Sequence, residues 1–481
     1  MIIMNQKRIP LFEKLKKHAE KNPVSFHVPG HKYGMLITGN IESYYKEMLR
    51  LDATEISGLD DLHSPEGVIK EAEELLTQLY GVKKSFFLVN GSTVGNLAMI
   101  MAAVKENDTV LVQRNCHKSI INGISLAKAN PIFLGPVFDE DWGVAGGVSI
   151  NIVKQAIEMY PHAKALILTY PNYYGIVNEL EDIIKIAHCY NIPVLIDEAH
   201  GAHFIGGEIF PPSAVQLKAD IVVQSAHKTL PAMTMGAYLH FNSSLLSLVQ
   251  VRSFLQILQS SSPSYPIMAS LDIARNYLAT FTEKDADSLQ SKVTDFRNEL
   301  QQLKEIRVLT YKERIGDPLK ITIQSATGLS GYDLQKLFES KGIFSEMADP
   351  YNVVLVFPLL KGQMEYPIKE VIDCFRSALQ SVNNTKMDKV KASFRKPDIS
   401  RLALREDEIV QLEKVTVPLE EAIGKICAQL IIPYPPGIPL LFPGEIISEE
   451  AIDQLRLLQA SGARFQGDKD QKDGSIMIFL T

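Results

Sequence analysis

Short, uninterrupted apolar runs alternate with amphipathic stretches through the middle of the chain. Runs rich in β-branched and aromatic residues fall at 85–89, 109–112, 131–134, 165–169, 193–197, 221–224 and 236–240. They lack the polar alternation of a half-exposed strand, which predicts strands buried on both faces. Stretches such as 150–160 and 181–189 repeat their apolar positions at helical spacing and separate several of these strands. Together they predict an α/β fold with a mainly parallel seven-stranded sheet covered by helices. Ligands of such sheets bind beyond the carboxyl ends of the strands.

The flanks read differently. Residues 11–22 predict a helix that stops at Asn22-Pro23, followed by two loops, FHVPGHKYG (26–34) and GLDDLHSPEG (58–67). Helix 68–80 carries Ile69, Ala72, Leu75, Leu76 and Leu79 on one face and ends at Gly81. A long helical region follows Ser262-Pro263 and runs to about 303, after which 320–324, 330–340 and 353–356 suggest a smaller α+β unit. Residues 383–400 are polar and basic and read as a linker or a solvated helix face. Residues 417–430 read as a helix, and the prolines and glycines of IPYPPGIPLLFPGE (432–445) force an extended, turning path. The expected organisation is an N-terminal segment (1–45), a large domain (46–305), a small α+β domain (306–385) and a C-terminal domain (386–481).

Composition narrows the function classes. An apolar content of 46% and a charged content of 22% over 481 residues suit a globular protein with a large core. The net charge of -7 argues against nucleic acid as a partner. The four cysteines (Cys116, Cys189, Cys374, Cys427) form neither a CxxC pair nor a Cys/His cluster, so no disulfide framework or metal site is expected. No apolar stretch is long enough for a membrane span, and the N-terminus breaks into charge too early for a secretory signal. A cytoplasmic protein is expected.

Candidate chemistry concentrates at strand ends. NGSTVGN (90–96) follows a strand and opens a helix, so its N–H groups and the Ser92 and Thr93 hydroxyls form either an anion cradle or a capped tight turn. Asp197 ends an apolar strand, where a carboxylate needs a partner: a protonated ring nitrogen, a nearby lysine or a helix cap. His117 and His200 follow strands too, each as a cover for a flat ring or as an ordinary core histidine. The run DIVVQSAHKT places Ser225, His227 and Lys228 at another strand end, where a lysine amine loses its proton more readily and attacks a carbonyl. A phosphate cradle, a stacking imidazole, a carboxylate and an amine are the set that pyridoxal phosphate needs.

The order Asp197, Ser225, His227, Lys228 resembles fold type I enzymes that use pyridoxal phosphate. FHVPGHK, GLDDLHSPEG, NGSTVGN, QRNCHKS, DEAHGAH, QSAHKT, SSSPSYPIMASLD and YPPGIPLLFPGE together resemble the ornithine/lysine/arginine decarboxylase family, specifically its short bacterial members. The resemblance runs from residue 26 to about 450. It implies that Lys228 condenses with the cofactor aldehyde, Asp197 pairs with the pyridine nitrogen and His117 stacks on the ring. It assigns the phosphate to Ser92, Thr93, Ser225 and His227, places His200 beside the cofactor, and gives the proton return to Lys228 or His227. Ser261 and Ser262 are expected to reach the phosphate of a neighbouring subunit, which implies a homodimer with shared active sites. Glu346, in FSEMADPYN, matches the acidic residue that receives the distal cation of the substrate.

The implied reaction is α-decarboxylation of a basic amino acid, first L-arginine to agmatine for polyamine biosynthesis. Lysine or ornithine are the alternative substrates, and aminotransfer the alternative reaction. FHVPGHK comes so early that the N-terminal wing domain of larger members is expected to be absent, and the C-terminal part is short beside theirs.

Overall fold

The computed structural model of the chain describes residues 4–311, 316–380, 382, 397–434, 437–466 and 474–480. The chain divides into two compact units, residues 1–103 with 193–283 and residues 104–192 with 284–481.

In the first unit Lys84–Leu88 pairs antiparallel with Ala237–Phe241, which pairs antiparallel with Ile221–Gln224. Ile221–Gln224 in turn runs parallel to Val194–Asp197, with Val223 opposite Asp197. Two reversals cancel, so Lys84–Leu88 points the same way as the last two, and Ala237–Phe241 is the reversed strand. The strands Val194–Asp197 and Ile221–Gln224 are buried throughout, as runs without polar alternation require. Helix Val68–Tyr80 ends at Gly81, whose φ of 65 is the left-handed conformation that terminates helices. At its start the Asp60 carboxylate accepts the N–H groups of Gly67 at 2.8 Å and Ile69 at 2.9 Å, meeting donors that the first helical turn leaves unpaired. Helix Glu42–Leu51, which the sequence pattern does not announce, has no buried residue.

In the second unit Ala165–Thr169, Thr109–Gln113 and Asn130–Leu134 are parallel. Ile399–Arg401 adds antiparallel to Asn130–Leu134, with Ser400 opposite Phe133. All seven expected strands therefore form, and the added strand Ile399–Arg401 begins at the very end of the stretch expected to be a linker. Residues 383–396 of that stretch fall outside the described residues, as do Pro435 and Pro436 of the proline-rich segment. Lys320–Ser325 and Asn352–Val356 belong to a four-stranded sheet of this unit, which also holds helices Gly331–Glu339 and Ile368–Leu379.

The helix expected over 417–430 does not form. Lys414–Pro418 is a strand paired with Ser475–Phe479, with Val417 opposite Ile476, and only the short turn Leu419–Ala422 is helical. Val415 and Val417 alternate with exposed neighbours and pack on a core that includes Leu419, Cys427 and Ile478. β-Branched residues at period two, followed by Pro418 and Gly424, favour the ladder over a helix.

Arg114 is nearly fully buried in this unit, and its guanidinium is matched on every side. It pairs with Glu445 at 2.9 Å, donates to the carbonyls of Pro439 and Leu440, and lies 4.0 Å from the centre of the Phe442 ring. The proline-rich segment is thus fastened to the end of strand Thr109–Gln113.

Among the described residues no helix is long and apolar enough to cross a membrane, and no cluster of His, Cys, Asp or Glu is placed to hold a metal ion. None of the four cysteines is in a disulfide.

Candidate active site

Two residues, Val89 and Asn90, separate strand Lys84–Leu88 from helix Gly91–Ala103. Gly91 has φ +78 and open space where a Cβ would stand, so the backbone turns sharply into the helix. Gly95 serves packing: a Cβ there would lie 2.7 Å from Leu88 Cδ1 and 2.8 Å from Val223 Cγ1, so only glycine lets the helix sit this close to the strands.

The first turn of this helix presents Ser92, half-buried, and Thr93, exposed. Ser225, the residue after strand Ile221–Gln224, donates its hydroxyl to Ser92 Oγ at 2.7 Å. Two hydroxyls and a helix N-terminus at one place are donors suited to a phosphate.

One turn further on, Asn96 Nδ2 donates to Asp197 Oδ2 at 3.0 Å, while the N–H of Ala199 donates to Asp197 Oδ1 at 3.1 Å. Asp197 is buried, and both of these donors are neutral. A buried carboxylate held in this way is suited to a ring N–H cation.

Lys228 lies in the short helix Ala226–Thr229, and its Nζ is 3.1 Å from Nε2 of buried His200. A bond between these nitrogens has one proton between them, so when Lys228 is an ammonium it donates and the imidazole Nε2 accepts. His227 is fixed beside it: Nδ1 donates to the Gly236 carbonyl at 3.0 Å and its backbone N–H donates to the same oxygen. Amine, carboxylate and hydroxyl pair come from three different strand ends of one unit. As a donor set they fit pyridoxal phosphate.

Behind Asp197 the polar chain continues into the core. Glu198 accepts from Ala214 N, Ser213 Oγ and Gln224 Nε2, and burial pushes its carboxyl up to about 8. Gln224 Oε1 meets His240 Nε2 at 3.0 Å, and His240 Nδ1 meets Ser85 Oγ at 2.9 Å. Burial lowers His240 to about 3, so the ring is neutral: Nε2 carries the proton and Nδ1 accepts from Ser85.

The remaining sequence candidates are Ser261, Ser262, His117 and Glu346. Ser261 and Ser262 occupy an exposed turn of the first unit. His117 and Glu346 belong to the second unit. His117 caps helix Lys118–Leu126, with Nδ1 accepting from Ser119 N and lying 2.8 Å from Ser119 Oγ, and Gly437 lies close against its ring edge. Glu346 is exposed and precedes the strand Met347–Ala348. Asn96 and Glu198 join the site without being among the sequence candidates. Asn96 stands four residues after Ser92, hence on the same helix face, and that spacing is its signal. Glu198 has none beyond adjacency to Asp197.

The description "Orn/Lys/Arg decarboxylase, major domain" matches residues 9–317, and "Orn/Lys/Arg decarboxylase, C-terminal domain" matches residues 387–477. The chain is 46% identical over 483 residues to the uncharacterized protein YaaO of Bacillus subtilis (strain 168), covering 98% of each. It is 35% identical over 476 residues to an arginine decarboxylase of the same organism, covering 97% of each. Among solved structures, the lysine decarboxylase LdcF of Francisella novicida superposes with a TM-score of 0.81 at 23% identity, over 98% of this chain and 80% of that one. That last likeness is one of fold.

Proposed function

The chain belongs to the Orn/Lys/Arg decarboxylase family, and from that premise we propose that it converts L-arginine to agmatine and CO2. It is a pyridoxal-phosphate-dependent amino-acid decarboxylase. One observation carries the choice of arginine: the end-to-end match with a Bacillus subtilis protein named arginine decarboxylase.

Pyridoxal phosphate, when bound, supplies an aldehyde for the substrate amine and an electron-poor ring for the electron pair left by the departing carboxylate. Lys228 Nζ is the amine that holds the aldehyde between turnovers, and His200 Nε2, 3.1 Å away, takes the proton that Lys228 must lose to act as a nucleophile. Asp197 keeps the ring nitrogen protonated, and Asn96 holds Asp197 in place. Ser92, Thr93, Ser225 and the helix N-terminus bind the phosphate. With Nδ1 of His227 donating to the Gly236 carbonyl, Nε2 would donate to the phosphate when the ring is an imidazolium, and either Lys228 or His227 returns a proton to the substrate carbon.

The family motifs assign His117 to the ring face, Glu346 to the guanidinium, and Ser261 with Ser262 to the phosphate of a second copy in a homodimer. A carboxylate accepts guanidinium or ammonium alike, so lysine and ornithine are the competing substrates.

Incubating the purified enzyme with arginine, lysine and ornithine in parallel and measuring CO2 and amine tests the proposal. Agmatine with equimolar CO2 from arginine is expected. Cadaverine or putrescine as the main product overturns the arginine choice, and keto-acid formation without CO2 overturns decarboxylation.

A further inference from the structure

The motif GLDDLHSPEG has no role in the reaction as described, yet it is built around one group. The Asp60 carboxylate accepts the N–H groups of Asp61, Glu66, Gly67, Ile69 and Lys70, and the Asp60 carbonyl accepts from the hydroxyl of buried Tyr265. This loop is therefore rigid, and it is tied to helix Tyr265–Ala279, which begins just after the Ser260–Ser262 turn.

From this loop His63 Nε2 reaches the carbonyl of Ser260 at 2.8 Å. A carbonyl only accepts, so the proton is on Nε2. The His63 carbonyl accepts in turn from Gln256 Nε2 at 2.8 Å. On the other side of the peptide, the N–H of Ser260 donates to Asn90 Oδ1 at 3.2 Å, and the N–H of Ser262 donates to Ser260 Oγ. An exposed turn thus has its main chain held from two sides by side chains of distant segments. Among the described residues the hydroxyls of Ser261 and Ser262 have no partner. Surface turns ordinarily lack such bracing. Here it holds the main chain that carries the Ser261 and Ser262 hydroxyls.

We propose that His63 is a positioning residue that acts in trans: through the Ser260 carbonyl it sets Ser261 and Ser262 for the cofactor phosphate of the neighbouring subunit. This rests on the homodimeric reading above. The clamp removes the entropy that a loose serine turn would lose on meeting the anion, so its effect falls on cofactor retention.

The test follows release of pyridoxal phosphate by absorbance after dilution, with sedimentation recorded for each protein. His63→Ala is expected to release cofactor on the order of tenfold faster, the scale of a weakened hydrogen bond to a charged group. His63→Gln, whose amide nitrogen still donates to Ser260, is expected to retain the wild-type rate. Differently tagged His63→Ala and Lys228→Ala chains are then co-expressed and the mixed dimer isolated. Its one lysine-bearing site receives its serine turn from the chain with His63 intact, so that site is expected to regain wild-type retention. Fast release from the mixed dimer means that His63 acts within its own subunit and overturns the proposal, as does unchanged release from the His63→Ala dimer. A monomer in sedimentation overturns instead the shared-site reading on which the proposal rests.

Discussion

Asn96 donates to Asp197 across 3.0 Å, joining the cradle helix to the carboxylate that ends strand Val194–Asp197. The bond links the two ends of the proposed cofactor site, phosphate and ring nitrogen, through one helical turn. Asn96→Ala removes a donor to a buried carboxylate, a loss of about 1.5–3 kcal/mol. The expected result is a kcat lower by roughly 10- to 100-fold with little change in KM, measured by steady-state CO2 release. Asp197→Ala should lower kcat further, and equal losses in kcat and in substrate affinity would count against the ring-nitrogen role.

Lys228→Ala is expected to abolish the visible absorbance of bound cofactor and to lower turnover by on the order of a thousandfold or more. A purified variant with wild-type colour and rate would remove Lys228 from the reaction.

Ser92→Ala and Ser225→Ala each take one hydroxyl from the paired donors of the cradle. Each should weaken cofactor binding by roughly tenfold, and the double variant should lose less than the product of the two, because the hydroxyls bond each other. Equilibrium dialysis against pyridoxal phosphate measures this.

Gly95→Ala drives a Cβ against Leu88 and the stiff Val223 side chain. Overpacking of about 1–3 kcal/mol exceeds the roughly 1 kcal/mol that alanine gains as a helix former. A lower melting temperature is expected, partly recovered by adding Val223→Ala. A variant as stable as the parent would mean that the helix moves away at no cost.

His240 and Glu198 make opposite contributions to the pH dependence of stability. His240 is held near 3 when folded and returns to about 6.5 when unfolded, so its stabilisation is complete above 6.5 and is lost as pH falls toward 3. Glu198 is raised to about 8 from 4.5, so the folded state holds its proton more tightly and stability declines as pH rises from 4.5 to 8. In thermal melts across pH 4 to 9, His240→Phe should flatten the acid limb and Glu198→Gln the limb between 4.5 and 8. Unchanged slopes would show that neither group changes protonation on unfolding.

The buried strands are legible in sequence because a run such as Ile221–Gln224, apolar without alternation, has few alternatives to a strand covered on both faces. Lys228, Asp197, Ser92 and Ser225 are legible for a related reason, since polar residues at the ends of such strands stand out. Ile399–Arg401 is not legible: three mixed residues acquire strand form only from the ladder that Asn130–Leu134 offers. Residues 417–430 mislead because Leu419, Ala422, Ile423, Ile426 and Leu430 mimic a helical stripe, whereas the decisive partner of Val417, Ile476, lies far along the chain.

The burial of Arg114 bears on how far the protein can be shortened. Its charge is neutralised by Glu445 and its remaining donors are taken by the carbonyls of Pro439 and Leu440, all more than 300 residues away in sequence. Cutting the chain ahead of that segment would remove all of these partners together with the Phe442 ring that lies over the guanidinium, whereas losing Glu445 alone would leave a buried charge unpaired, at about 3–5 kcal/mol. The last part of the polypeptide is therefore a folding partner of the strand that leads to His117, and an early stop codon there would cost the middle of the protein as well as its tail.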